Sequence, residues 1–330
     1  MTKINKNIVL ICDRRKDNDP VTIKSNNLEF SADIYFQTIA NSLKEISPHL
    51  YVYDNPQDFM DNIVSHQNDI VFSAIWSGTD SRNRKSLIPA ICEAHRIQYI
   101  GSDAWVSSLC QDKSLSKLYC KAFNIEIPKG ILIDNISHLE ILKTLSFPVI
   151  VKPNAEGSSI GISDDSIAYT YQECIEKIYN IFPLYAPILV EEYIDGIEVA
   201  ACISGNNRSI NIFEIVQLVI DDKEYFDKEI WGYQSKIGKK SKITRKVITD
   251  KIPENICNDL KKIYLSLKKV DYMRIDGRVK NGKFYLIELT PDCSLHPKCF
   301  MATAFAYNNY TYSQMIYSFI KNSDDYYKNI

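Results

Sequence analysis

The sequence predicts an open α/β unit followed by α+β units, on three observations. Short apolar strands alternate with amphipathic helices over the first third. From about residue 112 the texture shifts toward antiparallel strand signals. The strand-rich part closes on a hairpin, "RIDGRVKNGKFYLIELTP" (274–291), that collects Arg, Asp and Glu among apolar residues.

Taken in order, "NIVLICD" reads as a buried first strand and is followed by a helix around 31–46. "LYVYD", a helix near 56–65, "DIVFSAI", a helix over 83–95 and "QYIGS" continue the alternation. That pattern argues for a mostly parallel sheet with helices on its faces, and ligands bind at the carboxyl ends of such strands. "DKSLSKLYCKAFNI" then reads as helical, "PKGILI" as a strand, 137–145 as a helix, and "FPVIVKP" as a strand ending at a glycine-rich loop. A helix over 170–182 precedes "APILVEEYI", "IEVAACIS" and "RSINIFEIVQLVI". Helices are expected over 254–269 and from 298 to about 320, with the tail "KNSDDYYKNI" frayed.

The bulk properties bound the function. The 330 residues are 45% hydrophobic and 24% charged, with a net charge of −2. That is ordinary for a globular protein of two or three domains, and without a basic run it gives no sign of a nucleic-acid partner. No apolar run approaches a bilayer span, and "IVLIC" is too short for a signal-peptide core, so no membrane is expected and a cytoplasmic location is. Nine cysteines without a CxxC pair and five histidines without an HExxH pattern make a zinc site an unfavoured reading. Free thiols follow from a reducing compartment.

The hairpin admits two registers. A two-residue loop at Asn281-Gly282 would pair Asp276 with Ile287 and put Glu288 on the opposite face. A three-residue loop, Lys280 to Gly282 with Gly282 left-handed, would set Val279 against Lys283 and Arg274 against Glu288. Asp276, Phe284, Leu286 and Thr290 would then share a face, opposite Ile275, Gly277, Val279, Tyr285, Ile287 and Leu289. The second register separates charge from grease more cleanly and is the expectation; an ordinary half-buried hairpin with a structural Arg–Glu pair is the competing reading. In "VKPNAEGSSIGIS", Lys152 ends a buried strand, and Gly157, Ser158, Ser159 and Gly161 form a turn able to cradle phosphate, though neither a Walker A nor a GxGxxG pattern is present.

Four blocks in order, "YIGSDAWVSSLCQDKSLSKLYCKAFNIEIPKG", "FPVIVKPNAEGSSIGIS", "EEYIDGIEVA" and "RIDGRVKNGKFYLIELTP", resemble the D-alanine–D-alanine ligase family of ATP-grasp enzymes, over about residues 69 to 295. The resemblance implies the ATP-grasp fold. Residues 1–111 would form a substrate domain, 112–187 a central subdomain with the phosphate loop, and 188–330 a C-terminal subdomain with the metal site. It implies ATP and Mg²⁺, and small-molecule carboxylate and amine substrates joined through an acyl phosphate. It also admits a homodimer through the first domain.

Carried over by position, Lys113 and Lys152 would bind the α- and β-phosphates, with the loop Gly157, Ser158, Ser159 and Gly161 over the β/γ-phosphates. Glu191 would meet the adenine amino group, Ile194 the adenine slot and Glu198 the ribose. Asp276 and Glu288 would hold the metal, and Arg274 would stabilise the tetrahedral intermediate. Lys113, Glu191 and Glu198 could each instead be solvated.

The chain also departs from the family. Thr290 replaces the usual metal-binding Asn, with Asp292 as a candidate substitute. The segment that grips the second substrate, "PDCSLHPKCF", lacks its glycine; Ser294 and His296 are the candidates there, with a turn role or a Cys/His metal site as rival readings for His296. The first loop, "ICDRRKDNDPVTIKSNN", has no glycine, and Arg14, Trp76 and Arg82 are candidates for a more anionic or bulkier carboxylate, against a solvated charged loop. The γ-phosphate lysine falls strictly on Trp231, leaving Lys228 or Lys236 in a loop expected to be mobile. The expected function is therefore an ATP- and Mg²⁺-dependent carboxylate–amine ligase for amino acids or related molecules, not D-alanine–D-alanine itself. The alternatives are an inactive nucleotide-binding relative or an ATP-grasp kinase.

Overall fold

A computed structural model describes residues 3–14, 33–75, 81–227, 230 and 242–329. Three sheets organise it. The first is parallel, in the order β2-β1-β3-β4, from β1 (Ile8–Cys12), β2 (Leu50–Tyr53), β3 (Ile70–Ala74) and β4 (Gln98–Ile100). Helices α1 (Asp33–Ile46), α2 (Pro56–Asn62) and α3 (Leu87–His95) cover its faces. β1 is buried throughout because each face meets a separate apolar cluster.

Two helices then lead onward, α4 (Ala104–Gln111) and α5 (Lys113–Cys120). Asp103 caps α4 through the Val106 N–H, and Asp112 caps α5 through the Leu115 N–H. The sequence reading foresaw α5 but not α4.

The middle sheet is antiparallel, in the order β5-β8-β6-β7, from β5 (Gly130–Ile133), β6 (Val149–Pro153), β7 (Ile167–Ala168) and β8 (Ile188–Glu192). It packs on α6 (Tyr171–Tyr185). The expected 137–145 helix is a 3₁₀ segment, Ile136–Thr144, broken at His138. β8 belongs to this middle sheet, pairing with β5 and β6.

The third sheet is also antiparallel, in the order β11-β10-β9-β12-β13, from β9 (Ile197–Gly205), β10 (Ile210–Ile220), β11 (Ile243–Val247), β12 (Tyr272–Lys280) and β13 (Lys283–Pro291). Its strands alternate between two cores. Val199, Ala201, Ile203, Met273 and Ile275 meet α7 (Glu254–Ser266) and the α4/α5 segment. Ala200, Cys202, Val216 and Tyr272 meet α8 (Phe300–Tyr307) and α9 (Tyr312–Tyr327).

The single expected C-terminal helix is thus two. The break at Asn309, with φ 63°, is followed by a capping box of Thr311 and Gln314. The tail is anchored rather than frayed up to its last turn. Asn322 donates to Ser204 Oγ at 2.9 Å and to the Asp271 carbonyl at 3.0 Å, and Gln98 donates to Asp324 at 2.7 Å. All nine cysteines are free and buried.

Candidate active site

The three sheets meet at a cleft of about 600 Å³. Its third-sheet wall is the hairpin of β12 and β13, whose register departs from expectation. Asn281 and Gly282 have φ of 50° and 73°, and Lys280 faces Lys283, so the turn is the two-residue kind. Alone, that would have put Asp276 and Glu288 on opposite faces. A bulge restores them: Gly277 faces Leu286, the register shifts, and Asp276 faces Glu288, leaving Ile287 as the extra residue. The expected bulged loop is therefore corrected, and a bulge inside the ladder does its work. Because one slip inverts a strand's faces, Phe284 and Leu286 lie in the core while Tyr285 and Ile287 line the cleft, the reverse of the expected assignment.

Arg274 and Thr290 are paired opposite one another, next to Asp276 and Glu288. Arg274 makes a two-pronged ion pair with Asp276, Nε to Oδ1 at 2.6 Å and Nη2 to Oδ2 at 2.8 Å. The Thr290 hydroxyl donates to Asp276 Oδ2 at 3.0 Å, so it orients that carboxylate. Across the cleft, Lys113 Nζ lies 3.3 Å from Glu288. Burial works to raise the Glu288 carboxyl, but Lys113, Lys152 and Arg274 outweigh it and hold it well below the usual carboxylate range.

Asp292 takes another role than the expected ligand. Its carboxylate accepts the Ser102 N–H at 3.0 and 3.1 Å and the Ser102 hydroxyl at 2.5 Å. A Cβ on Gly101 would lie 2.3 Å from Asp292 Oδ1, so the loop before α4 is closed tightly on this side chain. Asp292 thus ties the hairpin's end to the first unit.

On another side of the cleft is a buried charge cluster. Lys152 and Lys117 both donate to Glu191, each at an interior position. Burial alone would raise the Glu191 carboxyl, and the two lysines bring it below its ordinary value. Lys117 is pushed down to about 7 by burial, helped by Lys152 and Lys113 and opposed by Glu191. The sequence reading missed Lys117, although it lies four residues, one helical turn, beyond Lys113 on α5. Lys113 also donates to the Glu156 carbonyl, and the Glu156 side chain accepts from Arg84 at 2.9 Å. Those contacts hold the loop that carries Gly157, Ser158 and Ser159, and all three line the cleft. Ser158 and Ser159 have φ of 51° and 65°. Gly161 (φ 71°) is not among the described cleft-lining residues: a Cβ there would meet Pro153 at 2.6 Å, so its role is close packing behind the loop.

At the far end, Glu198 pairs with Arg278 at 3.1 Å. Arg278 also donates to the Tyr193 hydroxyl at 2.6 Å and to the Ile194 carbonyl at 2.7 Å. It too was missed, although its two-residue step from Asp276 puts it on the same strand face. Ile194, Ser294 and His296 line the cleft. Arg14 and Arg82 do not appear among its described lining residues. Arg14 pairs with Asp33 at 3.3 Å and stacks on Phe36, and Arg82 is exposed. Charged side chains on a loop gain more from water than from a cleft wall. Trp76, Lys228 and Lys236 lie outside the described residues.

The donor set fits Mg²⁺. Asp276 and Glu288 supply hard oxygens, and among the described residues no three of His, Cys, Asp and Glu converge as ligands. Mg²⁺ is commonly held by one or two carboxylates with phosphate oxygens and water completing the shell.

The family model for the D-ala D-ala ligase C-terminus matches residues 129–321. D-alanine–D-alanine ligase A of Bacillus cereus is 30% identical over 224 residues, 66% of this chain and 70% of that protein. The chain belongs to the D-alanine–D-alanine ligase family. Another relative, D-alanine–D-alanine ligase of Thermotoga petrophila, is 26% identical over 260 residues, 77% of this chain and 79% of its own. In fold, the ligase superposes on the D-alanine–D-alanine ligase from Bacillus anthracis complexed with ATP, with a TM-score of 0.75 at 20% identity, covering 99% of each chain. It also superposes on the VanG D-Ala:D-Ser ligase from Enterococcus faecalis (TM-score 0.70, 18% identity, 97% and 100% covered). The ligase is therefore an ATP-grasp enzyme that forms C–N bonds at the expense of ATP, with Mg²⁺ as its metal. Its substrates are a small carboxylate and a small amine. Among the described residues, no helix is long and apolar enough to cross a membrane.

Proposed function

We propose that the ligase joins amino acids or related small molecules other than two D-alanines. The carboxylate oxygen of one substrate takes the γ-phosphoryl group of ATP and ADP leaves. The amine nitrogen of the other bonds to the acyl carbon, the carbon–oxygen bond to phosphate breaks, and the amine gives up a proton. The sum is carboxylate, amine and ATP to amide, ADP and phosphate.

The observation that carries this reading is the pairing of Asp276 with Glu288 on one strand face, beside Arg274 and across from Lys113. Asp276 and Glu288 would hold Mg²⁺, which would neutralise phosphate charge. Lys113 and Lys152 stand ready to exchange their carboxylate partners for phosphate oxygens, and the Gly157–Ser159 loop offers N–H groups and hydroxyls. Ile194, Glu198 and Arg278 shape the base and sugar end. Arg274, steadied by Asp276, faces the reacting carbonyl and stabilises its oxyanion.

A product other than D-alanyl-D-alanine is supported by the segment after the hairpin. Asp292 there is tied to Ser102, and Ser294 and His296 line the cleft without a glycine between the hairpin and α8. The test is turnover with ATP, Mg²⁺ and pooled amino acids and small carboxylates, followed by mass spectrometry. An amide other than D-alanyl-D-alanine, formed with equal ADP and phosphate, is expected. D-alanyl-D-alanine as the dominant product refutes the specificity, and a phosphorylated product without amide refutes the ligase reading.

A further inference from the structure

Glu191 lies between two lysines that differ in their access to the cleft. Lys152 lines the cleft and donates to Glu191 Oε1. Lys117 donates to Oε2 and is not among the described cleft-lining residues. All three side chains are buried. Their meeting follows from the register of the middle sheet and the anchoring of one helix. Ile150 faces Glu191, so Lys152, two residues further along β6, reaches Glu191 diagonally on the same face. Lys117 comes from α5, whose start is fixed by Asn154, buried just past β6. The Asn154 side chain accepts the Ser114 N–H at 2.9 Å and donates to Asp112 at 2.8 Å, and its carbonyl accepts the Lys113 N–H at 3.1 Å.

The two contacts fare differently when nucleotide enters. In the ligase reading above, Lys152 leaves Glu191 for a phosphate oxygen. Stripping a buried carboxylate of its partner costs far more than the pair itself contributes. With Lys117 on Oε2, Glu191 keeps a cation after Lys152 has moved. Without Lys117, Glu191 and the phosphates would compete for a single ammonium.

We infer that Lys117 is a positioning residue for nucleotide binding: it keeps Glu191 paired so that Lys152 can transfer to the phosphates. This rests on the ligase reading and adds a residue that the reading does not use. Lys117 acts through Glu191, with no contact of its own to the nucleotide.

The test is the affinity of the full-length ligase for MgADP and for adenosine, measured by calorimetry in wild type, Lys117→Met, Glu191→Gln and the double variant, with folding checked by circular dichroism. ADP carries phosphates for Lys152 to take, and adenosine carries none. Lys117→Met is expected to weaken MgADP at least about tenfold and adenosine by no more than about twofold. In the Glu191→Gln background the same substitution should change MgADP by no more than about twofold, because no carboxylate is left to retain Lys152. A purely structural Lys117 would weaken both ligands alike. That result, an unchanged MgADP affinity, or an equal loss in the Glu191→Gln background overturns the proposal and leaves the ligase intact. A crystal structure of the wild-type ligase with MgADP needs no variant to fold. Lys152 on a phosphate oxygen with Lys117 still on Glu191 is expected there; Lys152 still on Glu191, or Lys117 released from it, overturns the proposal. Wild type binding MgADP no more tightly than adenosine overturns the phosphate role of Lys152 in the ligase reading, and this proposal with it.

Discussion

Gly277 carries the register of the hairpin that sets Asp276 opposite Glu288, and its replacement by alanine is the most informative single perturbation of the fold. An added Cβ would lie 2.3 Å from Phe284 Cζ, 2.5 Å from Cε1 and 2.7 Å from the Tyr285 carbonyl oxygen. The closest approach is about 1.1 Å inside the 3.4 Å at which ordinary contact begins. Phe284 is fully buried and cannot swing aside, and the carbonyl belongs to the ladder itself. The φ at Gly277 is not positive, so the cost is steric rather than conformational. Overpacking of this kind costs about 1–3 kcal/mol, and two immovable neighbours put Gly277→Ala at the upper end. Urea unfolding would measure it. Phe284→Leu removes the ring atoms nearest the new methyl, at its own cost of about 1–3 kcal/mol for the space left behind. The double variant is therefore expected to be more stable than the sum of the singles by more than about 1 kcal/mol. Turnover should fall further than stability in Gly277→Ala, because Asp276 and Glu288 share a face only through this bulge. A Gly277→Ala protein within about 0.5 kcal/mol of the parent, with full turnover, would refute the account of the register.

Other outcomes follow from individual contacts. Glu288 has a folded-state pKa below its unfolded value of about 4.3, so its stabilisation is complete above that pH and is lost as pH falls toward the folded value. Acid titration of unfolding should show the gap between wild type and Glu288→Gln constant above about pH 5 and closing below about pH 4. Asp292→Ala should lose about 1–3 kcal/mol by leaving the Ser102 donors unmet, yet keep the Mg²⁺ concentration for half-maximal turnover. Asp276→Asn should shift that concentration at least about tenfold, and equal shifts in the two would contradict the separation of roles. Arg278→Leu releases Glu198, the Tyr193 hydroxyl and the Ile194 carbonyl together. A rise in KM for ATP of about tenfold or more, with a smaller change in kcat, is expected from steady-state kinetics.

Residues whose role depends on local period or motif were legible in the sequence. Lys152 at the end of a buried strand, the Gly157–Ser159 loop, and the nearness of Asp276 to Glu288 could all be read there. What escaped were choices made by neighbours far away in the chain. The three-residue turn is the expectation because that register separates the charged residues from the apolar ones more cleanly; a bulge at Ile287, set by tight packing of Gly277 on Phe284, is not visible in alternation alone. Asp292 looked like a spare ligand until Ser102, 190 residues away, claimed it. Arg14 and Arg82 follow strands of the first sheet, but neither is among the described lining residues; Arg245 and Lys298, which do line the cleft, come from the third sheet and the segment after it. The tail looked frayed because its polar residues gave no hint of Ser204, Asp271 and Tyr99 as partners.

The central claim is that a carboxylate oxygen is phosphorylated and then displaced by an amine. Turnover with a carboxylate substrate labelled in both oxygens with ¹⁸O reads this directly. Each amide formed should be accompanied by one phosphate bearing a single ¹⁸O atom, because the oxygen that took the phosphoryl group leaves with it. Unlabelled phosphate released alongside amide would contradict the account.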